Sequence, residues 1–600
     1  MNLYRLNYNI FQKAVYSRYL STATTARSVI RRGGQLIKKK TENEYFYNIL
    51  AQRDKFIFGK LKSNKETVMK AMNTADCLYE FFSDTTNTKI EDLNPKLIDD
   101  LALTIPHLDL HCIYEVLLHM SRYEVPRGTR SEQQMKLGNA VDQYCQLTLP
   151  NNSFRDQIVV LDLYYRCGIF KSNLFKSILI AQSHHIAEWS PEEVVQYLFL
   201  SNLIREIPVR TVECVESILS DILASLDIAE AAIVSYSLYK CKVNIVSVSL
   251  WERFMSLVEN SIRSDEPVEE RYISAFAKLL RGYGQVPITG RVGIVKRFLD
   301  ILSNVDSQSW SLESQVRVAS VGTQVKLCNA KVVYNAFLTL MAELDTCRPK
   351  YISTMLFTYA YFNLHITADQ GKRLIERVLN PIDDYRRYYF LVLCTWSLTM
   401  MGFYDKRLYM NSFDPHKLRS EDLRGLDYCL AVIWDSYRIE APSIHKLVNV
   451  EPTLIDKYRM KTKQDHLRVT SRLQERLAKE IYAIVTEQLE HEAKIGCFMP
   501  MYVEQDVKVG DKIILVCHGL TSYYNDQYLS GGPAHRVRLL RASGYNVVEI
   551  PYKFHTSGLQ LNQKTSLIKQ YLRPLLTLNK SNRFTKQRTI RPGITGEDLM

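Results

Sequence analysis

Three arginines near the end of the 600-residue chain have the type and spacing that suit phosphate binding. Arg536, Arg538 and Arg541 lie in "PAHRVRLLRASG", a segment that reads as a helix closed by Gly544. Arg538 and Arg541 are three residues apart and share one helix face, whereas Arg536 projects elsewhere. This spacing predicts cationic stripes on more than one face, available to phosphates. The alternative is that the arginines only solvate the surface.

Three tyrosines precede this helix, in the loop that holds Tyr523, Tyr524 and Tyr528. Phenol rings stack on unpaired bases, and each such contact stabilises a complex by roughly 1–3 kcal/mol. The loop therefore predicts a stacking surface for single-stranded nucleic acid. The alternative is that the same tyrosines cover the edge of a sheet.

The elements that position these side chains are two strands and the helix between them. "DKIILVCHGL" and "GYNVVEIPY" are β-branched runs bounded by Gly and Asp, which predicts strands. A further helix is predicted at 561–576. A small α/β region therefore ends the chain.

Upstream, residues 66–420 show apolar side chains at three- and four-residue intervals, with Pro confined to connections, which predicts helices throughout. A motif of helix, short polar break and second helix recurs from "LYYRCGIFKSNLF" (163–175) to "FTYAYFNLHITADQGKRL" (357–374). The breaks return every ~35–45 residues, the period of helical-pair repeats. The pattern predicts an α-solenoid, although no fixed consensus repeats.

The composition is that of ordinary folded protein, with 46% hydrophobic and 24% charged residues and a formal net charge of +13. That excess lies at the two ends. Residues 1–40 hold nine basic residues and no acid, and residues 511–600 hold thirteen basic and five acidic residues. A cationic C-terminal region favours a polyanionic partner for that end of the protein.

The acid-free N-terminus carries Arg, Ser and Thr among apolar residues at helical spacing, the pattern of a mitochondrial transit peptide at 1–40. Arg18-Tyr19-Leu20-Ser21 resembles a matrix-protease site, and a disordered basic arm is the alternative. The longest uncharged stretch, 388–404, is shorter than the ~20 residues of a bilayer span, so it predicts a buried helix and no membrane span.

The twelve cysteines form no CxxC pair, which argues against a zinc ribbon or a disulfide framework. His107, His111 and Cys112 come nearest to a metal-ligand cluster, but the sequence offers no fourth ligand beside them. We therefore expect no metal and no cofactor, and reduced cysteines in the core.

The C-terminal order of strand, loop, basic helix, Gly544-Tyr545 and strand, with the turn Leu529-Ser530-Gly531, resembles the RAP domain of organellar RNA-binding proteins. Before it, "SLTMMGFYD" lies in a segment similar to the first FAST kinase-like region. Together these features resemble the FAST kinase domain-containing family.

The resemblance divides the chain as follows: transit peptide 1–40, helical-repeat array 41–350, first FAST kinase-like helical region 351–420, second 421–510, RAP domain 511–578, and a disordered basic tail 579–600. It implies a restriction-endonuclease-like fold for the RAP domain. The fold class is thus mainly α, an α-solenoid followed by a small α/β domain.

The resemblance also implies that the protein binds mRNA or rRNA in the mitochondrial matrix. RNA-granule or ribosome-assembly proteins are implied as further partners. Together with the residues themselves, it predicts RNA contacts at Arg536, Arg538, Arg541, Lys553, Tyr523, Tyr524 and Tyr528. We expect a non-enzymatic factor that regulates the stability, processing or translation of mitochondrial RNA. A pure scaffold for ribosome assembly is the second alternative, since the body between the ends is slightly acidic.

Two enzyme classes need comment. A protein kinase is disfavoured because HRD, DFG and a glycine-rich loop followed by a strand lysine are missing from the sequence. A metal-dependent RNA endonuclease is the serious rival, because the implied fold hydrolyses phosphodiesters with Mg²⁺ or Mn²⁺ held by acids beside a lysine. Its candidate residues here are Asp511, His518, Glu549 and Lys553. His518 stands where many RAP domains carry Asp, and this difference disfavours metal binding.

Overall fold

The computed structural model describes residues 29–32, 35–38, 41–124, 131–149, 152–264, 268–282, 288–307, 309–380, 387–418, 426–448, 450–467, 472–499, 502 and 504–581. The fold is mainly helical with a small C-terminal sheet region, as predicted. Contacts divide the chain into two compact units, Ser21–Pro287 and Ile288–Met600, which we call the N-terminal and C-terminal units. Most of the predicted transit peptide, and the tail from 582 onward, lie outside the described residues.

The N-terminal unit begins with a hairpin, β1 (Val29–Arg32) paired antiparallel with β2 (Gln35–Lys38). Its helices are α1 (Glu42–Gln52), α2 (Lys65–Met72), α3 (Asp76–Ser83), α4 (Pro95–Thr104), α5 (Leu110–Met120), α6 (Glu132–Thr148), α7 (Phe154–Arg166), α8 (Asn173–Gln182), α9 (Pro191–Ile204), α10 (Val209–Ile222), α11 (Ile228–Lys240), α12 (Val248–Arg263) and α13 (Glu270–Arg281).

Alternate helices of this unit pack on one another. Helix α9 packs on α11 and α11 on α13, while α10 contacts α12. Capping boxes start α9 and α11 at Ser190 and Asp227. Each of these side chains accepts a hydrogen bond from the backbone N–H of the glutamate three residues later, and the glutamate side chain accepts one from the backbone N–H of the capping residue. Helix α11 is buried from Ala229 to Tyr239, so it lies at the centre of the packing. The arrangement is like that of helical repeats.

Residues 42–60, which we call the N-terminal strap, run across α7, α9, α11 and α13. Phe46, Leu50, Phe56 and Phe58 are all at most 2% exposed there. Phe46 packs against Tyr236 of α11 with ring centroids 5.0 Å apart. The apolar side of the strap is therefore part of the core of this unit.

Charged side chains fasten the strap as well. Glu230 of α11 is fully buried and accepts from Arg53 at 2.6 Å. Asp162 of α7 is also buried, and it accepts from the Tyr47 hydroxyl at 2.6 Å and from the backbone N–H of Gly59 at 3.0 Å. Buried carboxylates need such partners, since an unpaired charge in the interior is strongly destabilising.

The C-terminal unit contains a helical region and then a sheet. The helical region consists of α14 (Ile288–Ser303), α15 (Leu312–Ala319), α16 (Ala330–Ala342), α17 (Pro349–Tyr361), α18 (Ala368–Leu379), α19 (Arg387–Met400), α20 (Lys406–Ser412), α21 (Pro415–Leu418), α22 (Asp427–Glu440), α23 (Pro442–His445) and α24 (Pro452–Leu467). Helix α19 covers the uncharged stretch and is largely buried in the core. Within the described residues, no helix has the length and apolarity to cross a bilayer.

The sheet region follows α25 (Arg472–Ala483) and a π-helical turn, Ile484–Gln488. Its elements are β3 (Ala493–Gly496), β4 (Asp506–Val509), β5 (Ile513–His518), the small hairpin β6 (Tyr523–Tyr524) and β7 (Tyr528–Leu529), α26 (Gly531–Ala542), β8 (Asn546–Pro551), α27 (Lys553–Thr556) and α28 (Leu561–Ser581). The main sheet has the order β3-β4-β5-β8, with β5 and β8 parallel and the other pairs antiparallel.

The sheet starts upstream of residue 511, where the sequence placed its boundary. Strands β3 and β4 lie inside the stretch 421–510, which was expected to be helical. Both are only four residues long, and "AKIG" and "DVKV" lack a β-branched apolar run. Strand β4 pairs with the fully buried β5 and β3 pairs with β4, so their conformation depends on tertiary pairing that local sequence patterns do not predict.

The sheet is covered on both faces. Ile514 and Val516 join Val537 and Leu540 of α26 and the helical region in one core. Leu515 and its neighbours on the other face pack against α25 and α28. Helix α26 therefore lies between the sheet and helices α17, α19 and α22, and the sheet region shares its core with the helical region.

Candidate functional site at the carboxyl edge of the sheet

Helix α26, which carries the three predicted RNA-binding arginines, is an interior helix. Its first residue, Gly531, lies so close to α17 that a Cβ there would meet the carbonyl oxygen of Ala360 at 1.6 Å. A side chain at this position would push α26 off α17. The arginines are thus placed by a helix that packs on both sides, and their surroundings differ sharply.

Arg536 is buried at 2% exposure and donates to Asp506 of β4 at 2.9 Å. The other oxygen of Asp506 accepts the backbone N–H of Cys517 at 3.0 Å. Burial raises the pKa of Asp506 to about 6, although the Arg536 charge acts in the opposite direction. The prediction that Arg536 contacts RNA is corrected here, because its guanidinium is enclosed and paired.

Arg538 fastens α26 to the helical region. It donates to the last carbonyls of α19, at Thr399 (2.8 Å) and Met400 (2.7 Å), and to Glu440 at the end of α22 (2.9 Å). Free carbonyls at a helix C-terminus favour a cation in this place. With these donors engaged, Arg538 is a packing residue and not the phosphate contact that was predicted.

His535 makes a third buried link that the sequence did not reveal. Its Nδ1 lies 2.8 Å from the Tyr502 hydroxyl, and its Nε2 lies 3.1 Å from the Ser436 hydroxyl of α22. Burial lowers the pKa of His535 well below its ordinary value, so the ring is neutral. A lone histidine in a basic helix gives no sequence signal for two partners so far away along the chain.

Arg541 is the arginine that reaches solvent, with 47% of its side chain exposed. It donates to Glu549 of β8 at 2.9 Å, and the second oxygen of Glu549 lies 3.2 Å from Nε2 of His518. His518 is fully buried, which lowers its pKa, and its Nδ1 has no hydrogen-bond partner among the described residues.

Glu549 and His518 stand on the same face of two parallel strands, at their carboxyl ends. Burial alone would raise the pKa of Glu549, but the hydrogen bonds with His518 and Arg541 and the charge of Arg541 outweigh it, so the pKa lies below its usual value. Glu549 is therefore ionised at neutral pH. The carboxyl ends of parallel strands are where open α/β sheets bind ligands.

The three predicted stacking tyrosines have different surroundings. Tyr523 is half-buried, and its ring contacts His518 and Tyr552 edge-on at centroid distances of 6.0 and 5.8 Å. Tyr528 is exposed and stacks on Tyr524 at 5.3 Å. Tyr524 is 7% exposed, so it serves the fold rather than a ligand.

Tyr552 joins Tyr523 at this edge and was not among the predicted contacts. It follows β8 directly and is half-buried, and the exposed Lys553 comes next. Both residues can be recognised as candidate site residues because they directly follow β8, which runs parallel to β5. We use the name basic-aromatic edge for the surface formed by five residues: Tyr523, Arg541, Glu549, Tyr552 and Lys553.

The four candidate catalytic residues do not come together. Asp511 is exposed in the turn between β4 and β5, whereas His518 ends β5. Seven residues of extended chain separate these two by about 20 Å. Among the described residues, no group of three or more His, Cys, Asp or Glu side chains is arranged to hold a metal ion.

The β6-β7 hairpin is fixed to the helical region by the loop before α16. Asn525 accepts the N–H of Cys328 at 2.8 Å and donates its own N–H to the carbonyl of Lys326 at 2.9 Å. The Lys326 amine donates to the carbonyl of Thr521. Burial lowers the pKa of Lys326 to about 7.

We expect the stability of the C-terminal unit to rise with pH because of Lys326. In the unfolded chain its amine holds a proton up to its ordinary pKa near 10.5, whereas in the fold it loses that proton above about pH 7. The unfolded state therefore binds more protons between these values, and the free energy of unfolding increases with pH. Urea unfolding of the wild type and Lys326→Met at pH 6.5 and 9 checks this: relative to the variant, the free energy of unfolding of the wild type should increase by about 2–3 kcal/mol between the two pH values. An unchanged gap would contradict it.

Neither the known protein-family models nor the curated proteins match this sequence.

Proposed function

We propose that the chain is a non-enzymatic RNA-binding protein of the mitochondrial matrix that regulates the stability, processing or translation of mitochondrial RNA. The observation that carries the proposal is the basic-aromatic edge. The rings of Tyr523 and Tyr552 contact each other there, the exposed Arg541 pairs with Glu549 of β8, and the exposed Lys553 directly follows Tyr552. Cations for the backbone and rings for the bases are what single-stranded RNA requires of a surface.

The resemblance to the FAST kinase domain-containing family supports this proposal. The element order α25-β3-β4-β5-α26-β8, with its last strand parallel to β5, supports a RAP domain of the restriction-endonuclease-like kind. The packing of alternate helices in the N-terminal unit supports an α-solenoid of helical-pair repeats. Both parts of the fold proposal agree with the architecture that the resemblance implies.

Binding is favoured over hydrolysis by the state of the carboxylates. Asp506 already holds the Arg536 guanidinium, and Glu549 already accepts from Arg541 and lies within hydrogen-bond distance of His518. A carboxylate that pairs with a cationic side chain is a poor ligand for a second cation. The proposal therefore needs no metal cofactor, and its partners are mitochondrial mRNA or rRNA together with granule or ribosome-assembly proteins.

We expect Arg541→Gln/Lys553→Gln to weaken RNA binding about tenfold, because two phosphate contacts are lost. The slope of log K against log salt should fall by about 1.4, since each phosphate neutralised on a single strand contributes about 0.7. Fluorescence anisotropy of the full chain with a labelled 20-nucleotide RNA, at several salt concentrations, measures both quantities.

The matched control is Lys494→Gln/Lys512→Gln, which removes the same charge from exposed positions on β3 and in the β4-β5 turn. It should leave the affinity within about twofold. Equal losses in both variants would show that only net charge matters. If the wild type binds no RNA but captures ribosome-assembly proteins, the scaffold alternative replaces the proposal. The compartment assignment fails if residues 1–45 leave a fluorescent reporter in the cytosol.

A further inference from the structure

The basic-aromatic edge contains a carboxylate, which a surface built only for phosphate would avoid. The Glu549 side chain is 35% exposed. Its carboxylate lies 3.2 Å from Nε2 of His518, and the ring of His518 contacts the ring of Tyr523 at a centroid distance of 6.0 Å, so the carboxylate and the aromatic rings share one site. A negative group next to the rings that stack on bases calls for a ligand with hydrogen-bond donors.

The carboxylate is held in position yet keeps free acceptor sites. Arg541 donates to one oxygen, and Nε2 of His518 lies within hydrogen-bond distance of the other. The neutral imidazole donates a hydrogen bond from its Nε2–H to the ionised carboxylate, which leaves Nδ1 as a buried acceptor without a partner in the described part of the chain. Each carboxylate oxygen can accept a second hydrogen bond. The edge thus offers acceptors to a planar ligand.

The four RNA bases differ in how they meet a carboxylate. Guanine presents two neighbouring donors, N1–H and the N2 amine, which match two carboxylate oxygens. Adenine and cytosine each place one amine beside an acceptor nitrogen, and the N3–H of uracil lies between two carbonyls. Lone pairs facing a carboxylate repel it, so guanine is the base that this group selects.

Resting on the proposed RNA binding, we propose that Glu549 reads the Watson–Crick edge of one unpaired guanine, stacked beside Tyr523 and Tyr552. Arg541 and His518 act as positioning residues that hold the carboxylate. Arg541 has five donors and uses one of them on Glu549 at 2.9 Å, so it serves a phosphate as well.

The test uses the full chain and fluorescence anisotropy with four 12-nucleotide RNAs. Each is oligouridine with one central guanosine, inosine, adenosine or uridine. We expect the guanosine RNA to bind about tenfold more tightly than the adenosine RNA, the value of one bidentate base contact. Inosine keeps N1–H but lacks the N2 amine, so its affinity should fall between the two. These comparisons change only the ligand and do not depend on how a variant folds.

On the protein side, Glu549→Gln keeps the shape but removes one acceptor. It should reduce the preference for guanosine over adenosine to less than about threefold. Equal affinities of the wild type for guanosine and adenosine RNAs, or a full preference in Glu549→Gln, would overturn the assignment alone. Failure to bind any of the four RNAs would overturn the RNA-binding proposal with it. A different result would be that the protein does not discriminate among the RNAs, while an arginine-containing peptide binds the wild type but not Glu549→Gln. That result would show that Glu549 binds a protein partner instead of a guanine.

Discussion

Deleting residues 1–60 is expected to unfold the N-terminal unit, whereas deleting residues 1–40 is expected to leave its stability unchanged. The strap supplies Phe46, Leu50, Phe56 and Phe58 to the interior. Truncation of one buried aromatic side chain costs roughly 3–5 kcal/mol, and the whole stability of a domain is about 5–15 kcal/mol. The loss of all four exceeds what the unit can tolerate.

The longer deletion also removes ion-pair partners from two buried charged residues. Glu230 loses Arg53 and Lys55, and Lys278 loses Glu42. Each is at most 7% exposed, so its partner cannot be replaced fully by water. After the shorter deletion the chain begins at Thr41, whose side chain caps α1 by accepting from the N–H of Glu44. That variant therefore keeps every one of these contacts.

Differential scanning calorimetry and limited proteolysis of the two deletions provide the measurement. The 1–40 deletion should melt like the full chain. The 1–60 deletion should lose one transition and become cleavable between residues 150 and 280. A single point variant, Phe58→Ala, should fall between them with a loss of about 3–5 kcal/mol. A cooperative melt of the 1–60 deletion at the wild-type temperature would refute a structural role for the strap.

Arg536→Ala is expected to lower the free energy of unfolding of the C-terminal unit by about 3–5 kcal/mol, because it strands the buried carboxylate of Asp506. Both partners are at most 2% exposed and lie 2.9 Å apart. Adding Asp506→Asn should recover part of that loss, since the remaining group is then neutral. A double-mutant cycle followed by urea unfolding isolates the interaction between the two.

Arg541→Ala is the matched control on the same helix. Its ion pair with Glu549 is half exposed, so its loss should cost no more than about 1 kcal/mol. If Arg536→Ala and Arg541→Ala destabilise equally, the pair with Asp506 does not hold the sheet to α26. If Arg536→Ala is stable but loses RNA binding, Arg536 contacts the ligand after all.

The sequence predicted the elements of the C-terminal region better than their surroundings. The β-branched runs identified β5 and β8, and the basic segment identified α26. Arginine is rarely buried, so periodicity alone assigned all three arginines to the surface. Their partners lie far away along the chain: Asp506 is 30 residues upstream of Arg536, and Glu440 is 98 residues upstream of Arg538. Only the packed fold brings such groups together.

Most of the candidate site was accessible to sequence reasoning, because Arg541, Lys553, Tyr523 and Glu549 were named from residue type and position. Arg541 pairs with Glu549, Tyr523 contacts His518, and Lys553 follows β8. Their contact with RNA stays a prediction. Tyr552 was missed, because its exposure depends on the parallel pairing of β5 with β8. Asp511 and His518 were both named as candidate nuclease residues, but they lie at opposite ends of β5.

Because α26 lies between the sheet and the helical region, these two regions cannot be separated, either in a truncated fragment or by recombination during evolution. Val537, Leu539 and Leu540 belong to the same core as the helices before residue 460. A fragment cut at residue 472 would expose that face to water and lose the anchors of Arg538. Recombination that joined this sheet to a foreign carrier would meet the same difficulty. The sheet region of the C-terminal unit therefore cannot be transferred between proteins without its helical region. Substitutions in the shared core of the two regions must be compatible with each other during evolution.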